Sequence, residues 1–445
     1  MRRLTRLIAC GALTLALAGL HGMANAQRTA LPIVDRDVHM GVASCAGSTC
    51  HGAVAPLPGI GILQNEFTTW QQRDKHATAY RVLLNDRSKR IAKNLGLDAA
   101  HTAAVCLDCH ADNVAADKRH RTFQITDGVG CEACHGGAGR WIGTHIAANA
   151  THERNIENGL FPSANPVERA RLCISCHFGD ERRFVTHRIM GAGHPRMSFE
   201  LDTFTSLQPA HFIVDNDYRQ RKGSWNGVQI WAIGQAMAIS MVMDRLTDPK
   251  QNRDGLFPEL VFFDCHSCHS PMSELNWAPR RATGLGPGVP KLNDANFLML
   301  QVIADRVDPE LGRQLKERTL ALHRASNQNF EGMVNEARQV KAIADQLVPR
   351  FAQRAFGSED IRAMMAGILG NGLSGEYVDY AGAEQATMAL GTILNAMRQT
   401  GIIDQGRFNQ ANSVLDKVFE AVKSDERYTP ATFLAALREY REKAP

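Results

Sequence analysis

Apolar and polar positions alternate differently in the two parts of this chain. Over the last third the apolar residues recur with a helical period: Val414, Leu415, Val418, Phe419 and Val422 fall on one face of a 3.6-residue repeat. Asp308-Pro309 and Thr429-Pro430 pair a capping side chain with a proline suited to a first helical turn. Together these predict a helical domain over 293–445, with helices from about Asn293 to Glu442. The run RATGLGPGVPK, ending at Lys291, punctuates the chain with glycine and proline and predicts a linker over 281–292. Before it, GVQIWAIGQAMAISMVMDRL (Gly227 to Leu246) is the longest apolar run of the middle region. Gln229, Gln235 and Ser240 interrupt it, so it predicts a buried amphipathic helix rather than a membrane span. TTWQQRDKHATAY, which contains Trp70 and His76, predicts another helix.

The amino terminus is a different kind of apolar segment. Basic MRRLTR precedes LIACGALTLALAGL and then HGMANA, whose Ala24-Asn25-Ala26 is a small-residue cleavage signal before Gln27. Residues 1–26 read as a secretory signal peptide, with Cys10 inside the discarded leader, and the expected location is the periplasm. The formal charge of +4 includes leader residues Arg2, Arg3 and Arg6, which leaves about +1 for the exported chain. That balance argues against a nucleic-acid partner, and the hydropathy pattern predicts no transmembrane segment after signal removal.

The chemistry lies between Cys45 and Cys268. Four segments share the pattern C-x-x-C-H: Cys106, Cys109 and His110; Cys131, Cys134 and His135; Cys173, Cys176 and His177; Cys265, Cys268 and His269. A fifth, Cys45-Ala-Gly-Ser-Thr-Cys50-His51, has the same ending and a wider gap. Chance placement at this composition predicts only about 0.01 strict copies, so the repetition is a signal for the c-type haem attachment pattern. Two thiols add across the porphyrin vinyl groups, and the following histidine becomes the proximal iron ligand. Structural disulfides suit an exported protein but do not explain the adjacent histidines. Zinc sites use such pairs two at a time or with distant histidines, and a thioredoxin-like pair is expected once. The cofactor reading is therefore five haem c groups. At the first, widened motif, attachment by Cys50-His51 alone and a disulfide are the alternatives.

What covers the second face of each iron decides function, since histidine or methionine makes an electron-transfer centre and an open position binds substrate. The other histidines of the exported chain are His39, His76, His101, His120, His145, His152, His187, His194, His211, His266 and His323. Candidate distal ligands are His76, His145, His152, His187, His194 and His211. His187 and His194 flank a glycine-rich turn where backbone can approach a flat ring. His266 and His323 are read as non-ligands, and Met190 and Met197 as packing residues.

GVGCEACHGG, HRIMGAGHPRMSFELD and SCAGSTCHG followed by W-x5-H-A resemble the multihaem cytochrome c superfamily that includes cytochrome c-554 and, more distantly, hydroxylamine oxidoreductase and octahaem tetrathionate reductase. The resemblance covers about Val38 to Trp277. It implies a mainly α fold, a multihaem cytochrome c fold with long loops around stacked haems over 27–280, here followed by a C-terminal helical bundle. It also implies bis-histidine ligation for most haems and electron relay in the periplasm. Cytochrome c-554 is a shorter tetrahaem protein, so the fifth motif and the tail depart from it. The lysine-ligated C-x-x-C-K haem of nitrite reductase relatives is absent.

The function this supports is electron transfer between redox partners: a quinol-linked membrane cytochrome, and a terminal reductase, oxidase, extracellular acceptor or other cytochrome. The alternative is an oxidoreductase acting on nitrite, hydroxylamine or tetrathionate at one open-faced haem. A haem-based sensor is a third reading. The pattern favours a carrier over a catalyst, and no catalytic residue is identified. The tail is read as a scaffold over haem edges, with a docking or dimerisation module, hence a homo-oligomer, as the other reading.

Overall fold

In the computed structural model the chain is described from residue 29 to 443, apart from residues 60, 256, 270–282 and 287. The expected signal peptide, the end of the haem segment at 270–280 and linker residues 281, 282 and 287 lie outside the described residues. The fold is mainly α, and the one sheet described is a two-stranded pairing of Arg253–Asp254 with Phe257–Pro258.

From residue 29 to 222 the chain makes short helices and 3-10 turns joined by long loops. The cysteine motifs themselves coil. Ala104–His110 and Pro166–His177 each end on a motif, Cys131–His135 is a motif, and Cys265–Ser267 is a single 3-10 turn within one. A helical turn brings positions i, i+3 and i+4 onto one side. It thereby presents both thiols and the histidine of C-x-x-C-H to the same ligand.

Beyond residue 222 the helices are long and make a bundle: Gly227–Thr247, Ala295–Val307, Pro309–Ser326, Phe330–Gln353, Ser358–Leu373, Tyr380–Gln399, Gln405–Ala421 and Pro430–Lys443. Pro309 and Pro430 stand at first helical positions. Asp308 caps its helix by accepting from the Leu311 amide at 3.1 Å, satisfying a donor that has no partner within the helix.

Gly227–Thr247 differs from the amphipathic helix expected. Val228, Trp231, Ile233, Ala236, Ile239 and Leu246 are all buried, and they cover most of its circumference. It packs on Phe330–Gln353 on one side and on Pro166–His177 on another, so it is a central helix buried over most of its surface. The polar residues that interrupt its apolar run tie it to its neighbours. Gln229 Nε2 donates to the Phe351 and Ala352 carbonyls at 3.0 and 2.9 Å, Gln235 Nε2 to Gln385 Oε1 at 3.0 Å, and Ser240 Oγ to Asp345 Oδ1 at 2.5 Å.

One buried apolar core runs from Ala170 and Ile174 through this helix to Leu437 and Tyr440, and Leu292, in the expected linker, is part of it. The glycine-proline run therefore does not coincide with a break in packing. Composition reports the local stiffness of the backbone, whereas a boundary depends on whether contacts cross it.

Candidate functional site

Each motif histidine faces one other histidine. Ring centres are 5.9 Å apart for His51 and His145, 6.5 Å for His110 and His194, 6.3 Å for His135 and His211, 6.3 Å for His177 and His76, and 6.2 Å for His269 and His187. A first-row metal holds an imidazole nitrogen at about 2.0 Å, and the ring centre lies roughly 1.2 Å further, so two imidazoles on opposite faces of one iron should be about 6.4 Å apart. All five pairs meet that spacing. Direct stacking closes further, as it does between His177 and Phe199 at 4.4 Å. The residues present thus fit a haem in each of five places.

Four of these ten rings divide their nitrogens in the way ligation requires. Nδ1 of His51 lies 2.9 Å from Glu66 Oε2, and Nδ1 of His76 2.9 Å from Asp74 Oδ1. Nδ1 of His110 donates to the Ala79 carbonyl at 3.0 Å and that of His194 to the Pro195 carbonyl at 2.8 Å. A proton held on Nδ1 leaves the Nε2 lone pair for a metal, and such partners also fix the ring's orientation. Burial pushes His135 down to about 3 and His177 down to about 4, which keeps both rings neutral. Asp74 and Glu66 instead raise His76 and His51 by hydrogen bonding. Burial alone would raise Asp74, but its bonds from His76 and Gln208 hold it down at about 2.

The ten cysteines described are free thiols. Thiols of different motifs adjoin. Cys45 of the first motif and Cys131 of the third are close enough to shift each other's titration, as are Cys109 of the second and Cys176 of the fourth. Desolvation, then the nearby charge of Cys173 and Cys176, pushes up the thiol of Cys134 in the third motif. Arg183 Nη1 reaches Cys176 Sγ at 3.2 Å, four residues before His187.

Five of the six candidate distal histidines thus stand opposite a motif histidine. His152 begins the His152–Glu157 helix, and each of the five motif rings is already faced by another residue. His266 Nε2 lies 2.6 Å from Asp425 Oδ1 in the tail, and His323 is buried in the bundle with Nδ1 donating to the Thr319 carbonyl at 2.8 Å. His101 is edge-on to Tyr80, and His120 Nδ1 lies 2.7 Å from Thr122 Oγ1. Trp70 donates its indole N–H to the Val129 carbonyl at 3.1 Å, next to the third motif.

A buried ionic cluster escaped the sequence reading. His39 is fully buried, with Nδ1 2.7 Å from Asp112 Oδ2 and Nε2 3.6 Å from Asp35 Oδ1. Burial opposes the charged ring, yet the bonds to Asp112 and Asp35 raise His39 to about 10. Glu132, inside the third motif, accepts from the Met40, Gly41 and Ala138 amides at 2.7 Å each. Gly137 is required here, because a Cβ on it would sit 2.8 Å from the His39 ring. The run GVGCEACHGG thus packs against the segment 35–44, and the one trace in the sequence is the glycine after the motif.

Residues 44–136 match the family model described as cytochrome c554 and c-prime. The matched stretch carries the first three motifs, and the fourth and fifth lie beyond it. No curated protein and no solved structure matches the chain. The match and the attachment motifs within it support a c-type cytochrome involved in electron transfer.

Proposed function

We propose that the chain is a five-haem electron carrier in which every iron is held between two imidazoles. The pairs are His51 with His145, His110 with His194, His135 with His211, His177 with His76, and His269 with His187. Attachment would be through Cys45 and Cys50, Cys106 and Cys109, Cys131 and Cys134, Cys173 and Cys176, and Cys265 and Cys268. The carrying observation is that no motif histidine lacks a facing imidazole at one-iron spacing. Haem c supplies a one-electron iron couple whose potential depends on its ligands and surroundings.

The polypeptide arranges these centres in a row. The mutual influence of Cys45 and Cys131, of Cys134 with Cys173 and Cys176, and of Cys176 and Cys109 supports the order first, third, fourth and second motif. The fifth joins through the segment 183–194, which carries Arg183 against Cys176, then His187 and then His194. Cys50 and Cys268, in the first and fifth motifs, are exposed, as suits the two ends of a relay. An oxidoreductase acting at an open iron needs one motif histidine without an opposite ring, and the pairing favours the carrier. The leader supports a periplasmic setting, with a quinol-linked cytochrome and a terminal reductase or another cytochrome as partners. Among the described residues no helix is long and apolar enough to cross a membrane.

Intact-mass measurement of the protein made with cytochrome c maturation machinery tests the reading. The expected mass is the chain from Gln27 plus five haems. A mass showing four haems would remove the widened first motif, and an unmodified chain would overturn the proposal.

A further inference from the structure

The Asp86–Leu95 helix turns Ser88, Ile91 and Ala92 inward and leaves Arg87, Lys89, Arg90 and Lys93 in solvent. Residues 81–95 hold five basic side chains and one acid, Asp86. That acid is engaged with Lys89 at 3.1 Å, while Arg90 and Lys93 stand one turn apart on the outward side. The exported chain carries only about +1 in its side chains, and haem propionates would add negative charge. The helix therefore carries a local excess of positive charge.

Its position gives the charge a use. Arg87 Nε donates to the Gly193 carbonyl at 2.9 Å, Asn94 Nδ2 donates to the Ala192 carbonyl at 3.0 Å, and Ile91 closes over Gly193. The next residue is His194, opposite His110. The same short segment begins with His187, opposite His269, and exposes Arg188 from the His187–Gly191 helix that packs on this one. The basic helix thus covers the segment that presents distal imidazoles to two of the five centres.

We propose that this basic face docks an acidic soluble redox protein, which exchanges electrons with the haems ligated by His194 and His187. The inference rests on the five-haem reading. Opposite charge steers the encounter and fixes its orientation. In each transfer the partner loses one electron and one ferric haem becomes ferrous. An anionic membrane surface would also be attracted to such a face, but it has no need of the contact with a haem-ligand loop.

The probe is a plant-type [2Fe–2S] ferredoxin, an acidic protein of low potential, used with the haem-loaded full chain. Calorimetry with oxidised ferredoxin should show binding at about 10 mM salt that weakens at least tenfold by about 300 mM, as the Debye length contracts. Arg90→Glu with Lys93→Glu should weaken low-salt binding about tenfold and slow reduction by dithionite-reduced ferredoxin comparably. Lys250→Glu with Arg338→Glu, an equal change of net charge elsewhere on the surface, should stay within about twofold of the parent. Binding unchanged by the first pair, or lost equally with the second, would overturn the proposal. Ferredoxin binding unaffected while binding to phosphatidylglycerol vesicles is abolished would overturn it in favour of a membrane contact. Covalent haem is quantified first, so that a chain without haem is counted against the haem reading, and a five-haem chain with unaltered binding against the docking face.

Discussion

His187 and His269 lie with ring centres 6.2 Å apart and planes 25° from parallel, although one begins a short helix and the other ends the fifth motif. That spacing leaves room for one metal between them. Replacing His187 with glycine should leave haem attachment at Cys265 and Cys268 intact and open one iron face. Optical and paramagnetic spectra should then show one high-spin haem in five, reversed by added imidazole. His152→Gly should leave all five low-spin.

His39 ties Asp112 and Asp35 together in the interior beside Glu132. Its folded-state value, raised to about 10 from 6.5, sets the sign of its contribution. The charged ring stabilises the fold fully below pH 6.5, and that contribution falls away as pH rises towards 10. A shift of that size corresponds to on the order of 5 kcal/mol. The melting temperature of the haem-loaded protein should decline across that interval, and His39→Gln should flatten the decline while lowering stability at pH 6.

Much of this arrangement was legible in the sequence, and what was not has a common physical origin. The motifs, the helical tail and its starts at Pro309 and Pro430 are local features, set by spacing and capping within a few residues. Which histidine faces which motif is not local. His76 stands opposite His177 rather than the nearer His110, and His145 opposite His51 rather than the adjacent His135, because long loops fold the motifs back on one another. The central helix was seen, but its role was not. Gln229 and Gln235 look like polar interruptions until Phe351 and Gln385 are placed against them. His39 carries no signal of its own, since Asp112 is distant in sequence.

The shared core has a consequence for dissection of the chain. Ending the protein at Lys291 would expose Val228, Trp231, Ile239 and Leu246, which are buried in the complete molecule. A truncated form should accumulate as insoluble or proteolysed chain rather than as a smaller cytochrome. Within the full protein, Trp231→Ala should cost about 3–5 kcal/mol in denaturant unfolding. A soluble, haem-loaded fragment ending at 291 would show that the tail is dispensable for folding.

The tail also seats the fifth motif. Asp425 meets His266 at 2.6 Å and Arg196 at 3.4 Å, Arg196 meets Glu384 at 2.8 Å, and its guanidinium lies over the Tyr380 ring. The hydrogen bond raises His266 and lowers Asp425. Asp425→Asn weakens this contact beside Cys265. Spectroelectrochemical titration should then show one of five midpoint potentials moved and four unchanged, at full haem content.

The most direct test of the central claim is electron paramagnetic resonance of the fully oxidised protein, quantified against haem. The histidine planes fall into two classes: nearly parallel for His51 with His145 at 17° and His187 with His269 at 25°, nearly perpendicular for the other three at 82–88°. Parallel imidazoles both act on the same iron d orbital and split the pair, whereas crossed imidazoles act on each equally and leave the two nearly degenerate. The account predicts two rhombic low-spin signals, three highly anisotropic low-spin signals and no high-spin iron. A high-spin signal of one equivalent would contradict it, since one iron would then lack its second histidine.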